Sequence, residues 1–164
     1  MTKATNLTVT QRGRAKAYRP LAAVERSDAL RAGLAAYERG YFFLAHETLE
    51  PAWMGTDDPA ERDLHQGLIK LAAAFVHATR GNRLGIEKNL RGARELLAGG
   101  IEAGAREGID VPRIVTAIDD RLTRLARSSP AGSDRPTERP EGTRPMDPVD
   151  PIPIFPAKST PADG

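Results

Sequence analysis

His46, Glu47, Glu50 and Trp53 stand together in the run His46-Glu47-Thr48-Leu49-Glu50-Pro51-Ala52-Trp53. An imidazole beside carboxylates is the raw material of general acid–base catalysis and of metal coordination. His46 follows Phe42 by four residues and precedes Leu49 by three and Trp53 by seven. On a helix it shares their apolar stripe and faces the interior. Glu50 lies one turn beyond His46, within reach of the imidazole, and Glu47 flanks the same face. An inward polar group left without a partner costs about 1–3 kcal/mol. One reading is therefore a satisfied hydrogen-bond network that specifies packing, with Glu50 or Glu47 accepting from His46 and from the indole N–H of Trp53. The other is a metal or small-ligand hydrolytic site between the second and third helices. There His46 is ligand or base, Glu47 and Glu50 are carboxylate ligands or acid–base partners, and Gln66 is an orienting donor.

The metal pattern is incomplete, with His46 and Glu50 its candidates. A zinc-protease helix needs a second histidine where Glu50 stands, and di-metal bundles use Glu-x-x-His, the reverse order. The facing stripe of the third helix, Gln66, Lys70, Ala73 and His77, carries a lysine that opposes a cation. No cofactor is expected. His65 reads as a boundary histidine, and His77, in a last helical turn, as a capping cation. There is no Ser/His/Asp elbow and no phosphate loop, and Gly81-Asn82-Arg83-Leu84-Gly85 follows no strand, as a dinucleotide loop would. Without a complete catalytic set, the sequence does not indicate an enzyme.

The elements that must position these residues are helices. Ser27 reads as the N-cap of a first helix bearing Leu30, Leu34 and Tyr37, closed by Gly40. The second begins at Tyr41 and carries Phe42, Ala45, Leu49 and Trp53, with Pro51 expected to kink or tighten its end. Asp58-Pro59 starts the third, whose stripe of Leu64, Leu68, Leu71, Phe75 and Ala78 marks it as central. Gly81-Asn82 opens a fourth, Ile101 to Gly108 is a glycine-interrupted turn, and Asp110-Val111-Pro112 starts the last. Gly40-Tyr41 and Gly81-Asn82 recur as hinges between helices, which suggests stacked helical hairpins. No β-hairpin is expected. The predicted fold is an all-α, compact bundle of about five helices arranged as hairpins over residues 21–127.

The flanks differ. Residues 1–20 are expected as a flexible basic arm, since Met1 to Arg26 holds six basic residues against one acid, Glu25. Nine of the thirteen prolines fall between Ser128 and Gly164, so residues 128–164 are expected to be a disordered proline-rich tail. Its least polar piece, Val149 to Pro156, reads either as a short docking peptide or as a chance cluster. A net charge of +2 excludes a polycation, and the absence of cysteine excludes disulfides and thiolate chemistry and suits a reducing compartment. No secretory h-region and no membrane-length apolar run are visible, so a cytoplasmic protein is expected.

The residues also carry a resemblance. Gly40-Tyr41-Phe42, the His-Glu-x-x-Glu-x-x-Trp run, Gln66-Gly67-Leu68-Ile69 with Ala72-Ala73-Ala74, His77 and Gly81-Asn82 resemble the bacterial domain of unknown function 309 family over roughly Asp28 to Leu97. The motif matches at His46, Glu47, Glu50, Trp53, Gln66 and Gly67, and Pro51 departs from it. The resemblance implies a compact helical bundle and brings no activity with it. The function expected first is an interaction or scaffold module that docks a protein partner or a second copy, with Trp53 as an anchor. The hydrolytic or metal site comes second. Nucleic-acid contact through Arg12 to Arg19 comes last.

Overall fold

The computed structural model describes residues 7–128 and 150–157. The described residues form six helices and one hairpin: β1 (Leu7–Gln11), β2 (Arg14–Tyr18), α1 (Ala23–Glu38), α2 (Phe42–Met54), α3 (Pro59–Thr79), α4 (Arg83–Gly99), α5 (Ile101–Arg106) and α6 (Val111–Arg127). α1 and α2 form one antiparallel hairpin and α3 and α4 a second, and α3 lies between α2 and α4. Leu64, Leu71 and Phe75 on α3 are fully buried, as the leucine stripe requires. Among the described residues, no helix is long and apolar enough to cross a membrane.

Local chemistry explains most helix limits. Asp58 accepts from the Glu61 N–H at 3.2 Å with Pro59 in the first turn, Asn82 from the Gly85 N–H at 3.0 Å, and Asp110 from the Arg113 N–H at 3.1 Å. Gly40 and Gly81 both take positive φ, 82° and 66°. Each allows the next residue's N–H to reach back five residues, Tyr41 to the Ala36 carbonyl and Asn82 to that of His77. The repeated hinge in the sequence is thus one helix-ending geometry used twice. Pro51 sits inside α2, which runs on to Met54.

Three expectations are corrected. α1 starts four residues before Ser27, because Glu25 reaches back to the Ala22 N–H; Ser27 lies within the helix and bonds Glu107 instead. The basic arm contains a β-hairpin. Arg12 and Gly13 both have positive φ, 50° and 76°, which is the two-residue turn whose twist suits paired strands. Thr8, Val9 and Thr10 supply strand propensity, and Leu7 pairs Tyr18 while Gln11 pairs Arg14. Residues 1–6 lie outside the described residues. Lastly, the tail is not wholly detached. Residues 150–157 pack on the bundle, with Ile152 only 2% exposed, while residues 129–149 and 158–164 lie outside the described residues.

Candidate functional site

The motif divides into two parts that do not meet as expected. Trp53 and Gln66 enter a polar network, but their partner is Gln11, at the hairpin tip. The Nε2 amide of Gln11 donates to Asp63 Oδ1 at 3.0 Å and to Gln66 Oε1 at 2.9 Å. Its Oε1 accepts from Trp53 Nε1 at 3.0 Å and from Arg62 Nε at 3.3 Å. Two donated and two accepted bonds exhaust a primary amide, and they fix its orientation, because the flipped amide would set donor against donor. Arg12 then clamps the hairpin from outside, bonding Asp63 Oδ2 at 3.4 Å, Glu95 Oε1 at 3.1 Å and the Glu95 carbonyl at 3.0 Å.

Arg62 is the centre of this network and is 1% exposed. Its Nη1 donates to the carbonyls of Trp53 and Thr56 at 3.1 and 2.9 Å, so the guanidinium caps the C-terminal end of α2. A cation is favoured there because the helix dipole leaves that end negative. The guanidinium also lies over the Trp53 ring, 5.4 Å from its centroid. Burial pulls its pKa below the ordinary value, and the Asp63 carboxylate opposes that shift. Arg62 Nη2 is buried without a partner among the described residues.

His46, Glu47 and Glu50 lie apart. Glu47 is exposed and His46 and Glu50 are half-buried, with no hydrogen bond between His46 and Glu50 among the described residues. The His46 ring is parallel to that of Phe43, centroids 6.4 Å apart. The expected carboxylate–imidazole–indole network is corrected: the indole N–H goes to Gln11, because α2 turns Trp53 toward the hairpin. Among the described residues, no three His, Asp or Glu side chains come together to hold a metal ion. His65, expected at the boundary, is 2% exposed; burial lowers its pKa to about 4, with Glu61 opposing the shift. His77 accepts from Asn82 Nδ2 at 3.1 Å at the hinge into α4.

Gly67 has a packing reason. A Cβ there would lie 2.7 Å from Leu97 Cγ and 3.1 Å from the Leu97 backbone nitrogen, so glycine sets how closely α4 approaches α3. Gln11, Arg62 and Asp63 were not anticipated. Arg62 did leave a signal, because it precedes Ile69, Ala72 and Val76 on their stripe, and a cation on an apolar stripe needs a buried partner. Gln11 left only its place on the strand face shared with Leu7 and Val9.

An open groove of about 490 Å³ lies at the other end of α2, lined among others by Tyr41, Phe42, Phe43, Leu44, Val76 and Arg80. Tyr41, Phe43 and Leu44 are 58%, 60% and 52% exposed. None of Glu47, Glu50, Trp53 or Gln66 reaches it, and His46 touches its edge through Phe43. No curated protein and no solved structure matches the chain. Residues 30–96, from Leu30 on α1 to Leu96 on α4, do match the family described as Domain of unknown function (DUF309).

Proposed function

We propose that the chain is a non-catalytic interaction module whose docking face is the groove at the α1–α2 hinge. The observation that carries this reading is the run of Tyr41, Phe43 and Leu44, each more than half exposed at the groove. Large apolar side chains gathered on a surface mark a docking site, and aromatic anchors dominate interface energetics. His46 supports the reading by stacking against Phe43, which holds one anchor in place. Arg80 lines the same groove and forms no ion pair among the described residues, so a partner segment with an apolar face and a nearby carboxylate suits it. Trp53 is not the anchor, because its N–H is spent on Gln11.

The test is selection of peptides from a random display library on the purified chain and on Phe43→Asp. Phe43 is exposed, so the variant folds with stability within about 0.5 kcal/mol of the parent. The expected result is enrichment of peptides combining apolar residues with an acid, lost on Phe43→Asp and weakened on Arg80→Ala. No enrichment on a chain that is also monomeric in sedimentation would remove this reading.

A further inference from the structure

Residues 150–157 add Ile152 to the core and also meet the bundle through their main chain. Three of them, Pro151, Pro153 and Pro156, have no N–H to give, so the segment presents mainly carbonyls, and the bundle supplies a donor for each of three. Arg121 Nη1 donates to the Asp150 carbonyl at 2.6 Å, the Tyr37 hydroxyl to that of Ile152 at 2.7 Å, and the Asp110 N–H to that of Phe155 at 2.8 Å. The segment's Ala157 N–H returns a bond to the Gly108 carbonyl at 2.8 Å, and Ile109 and Pro156 form an antiparallel bridge. Side chains add selectivity. Ile152 is buried, and the Arg113 guanidinium lies 4.2 Å from the centre of the Phe155 ring. Main-chain bonds for affinity and spaced side-chain pockets for specificity are how folded domains capture extended peptides. The chain between Ser128 and Asp150 is long enough that local geometry does not force this contact.

We infer that the groove formed by Tyr37, Gly108 to Asp110, Arg113 and Arg121 is a peptide-receptor site. Its ligand class is an extended, proline-spaced segment with an aliphatic residue at the Ile152 position and an aromatic at the Phe155 position. The occupant is the chain's own segment, held in cis, and a peptide of the same pattern enters when that segment leaves. This site is separate from the groove at Tyr41 and stands whether or not that groove docks a partner.

The experiment uses the full chain and a fluorescently labelled peptide of residues 150–157, read by anisotropy. Tethering gives the cis segment an effective concentration on the order of millimolar, so the parent chain binds the peptide weakly. Ile152→Asp places a carboxylate in the buried position and releases the segment. The released chain is expected to bind the peptide at least tenfold more tightly than the parent, and adding Tyr37→Phe is expected to weaken that binding several-fold. Phe155→Ala, a milder release, is expected to fall between parent and Ile152→Asp, and it decides the matter if Ile152→Asp fails to fold. A folded released chain that does not bind the peptide, or a parent that binds it equally well, overturns the inference.

Discussion

Trp53 donates its indole N–H to Gln11 at 3.0 Å, across 42 positions of sequence. That bond joins the N-terminal hairpin, which precedes the DUF309 match, to a residue of the motif inside it. Because Gln11 spends all its capacity on Trp53, Arg62, Asp63 and Gln66, removing it takes a partner at once from buried Arg62 and from half-buried Trp53, Asp63 and Gln66. Gln11→Ala is expected to cost about 2–4 kcal/mol, since each stranded buried group costs about 1–3 kcal/mol and water repairs some of them. Gln11→Glu keeps the shape, cannot donate, and sets a carboxylate against Asp63; it is expected to cost at least as much. Urea titration measures both, and the emission of the lone tryptophan reports the change at Trp53. A loss below about 0.5 kcal/mol in both variants would show that the network does not hold the hairpin.

The motif's two halves are expected to respond differently to substitution. Trp53→Phe keeps most of the ring and strands one lone pair of Gln11, so a loss of about 1–3 kcal/mol is expected. His46→Ala removes a half-buried ring stacked on an exposed one, and Glu50→Ala a half-buried carboxylate without a partner among the described residues. Each is expected to cost about 1 kcal/mol or less. Thermal melts of the three variants decide it. Equal, large losses in all three would return His46 and Glu50 to a shared structural network.

Gly67→Ala sets two effects against each other. Alanine favours a helix interior over glycine by about 1 kcal/mol, but here its Cβ meets Leu97 at 2.7 Å and the Leu97 backbone at 3.1 Å. Overpacking against backbone costs about 1–3 kcal/mol, so a net destabilisation is expected, larger for Gly67→Val. Alanine at half-buried Gly92, where the nearest atom lies 3.7 Å away on Lys70, is the control and should be neutral or stabilising. A stabilised Gly67→Ala would mean that α4 can shift freely.

Particular residues show how far the sequence was legible. The Asp58-Pro59 start, the leucine stripe of α3 and the glycines at 40 and 81 act through neighbours one turn away, so their meaning is local and readable. The hairpin was not, because its turn is Arg12-Gly13 rather than Asn-Gly and its strands bury little apolar surface. Without the hairpin nothing in the sequence points to Gln11, and the nearest carboxylates are the natural acceptors for the indole N–H. The apolar cluster from Val149 to Pro156 stands out in the sequence, but its receptor is assembled from α1, the Gly108–Asp110 turn and α6. Contacts between segments so distant in sequence leave no periodic trace in either one.

Acid is expected to destabilise the fold in part through His65. Its pKa falls from an ordinary 6.5 to about 4 in the folded chain, chiefly because burial disfavours the imidazolium. Below pH 6.5 the unfolded chain takes up a proton that the folded chain refuses until about pH 4. Unfolding is therefore favoured increasingly as pH falls through that window, by about 1.4 kcal/mol per pH unit, and the effect levels off below it. Carboxylates add their own acid sensitivity, so the comparison must be with a variant. His65→Leu removes the titrating group and the buried Nδ1 that lacks a partner among the described residues. Urea midpoints at intervals from pH 7 to 4.5 should show the parent losing stability more steeply than His65→Leu, with the two converging above pH 7 apart from a constant offset. Parallel curves across the whole range would mean that His65 charges inside the folded chain without penalty, which would require water to reach it.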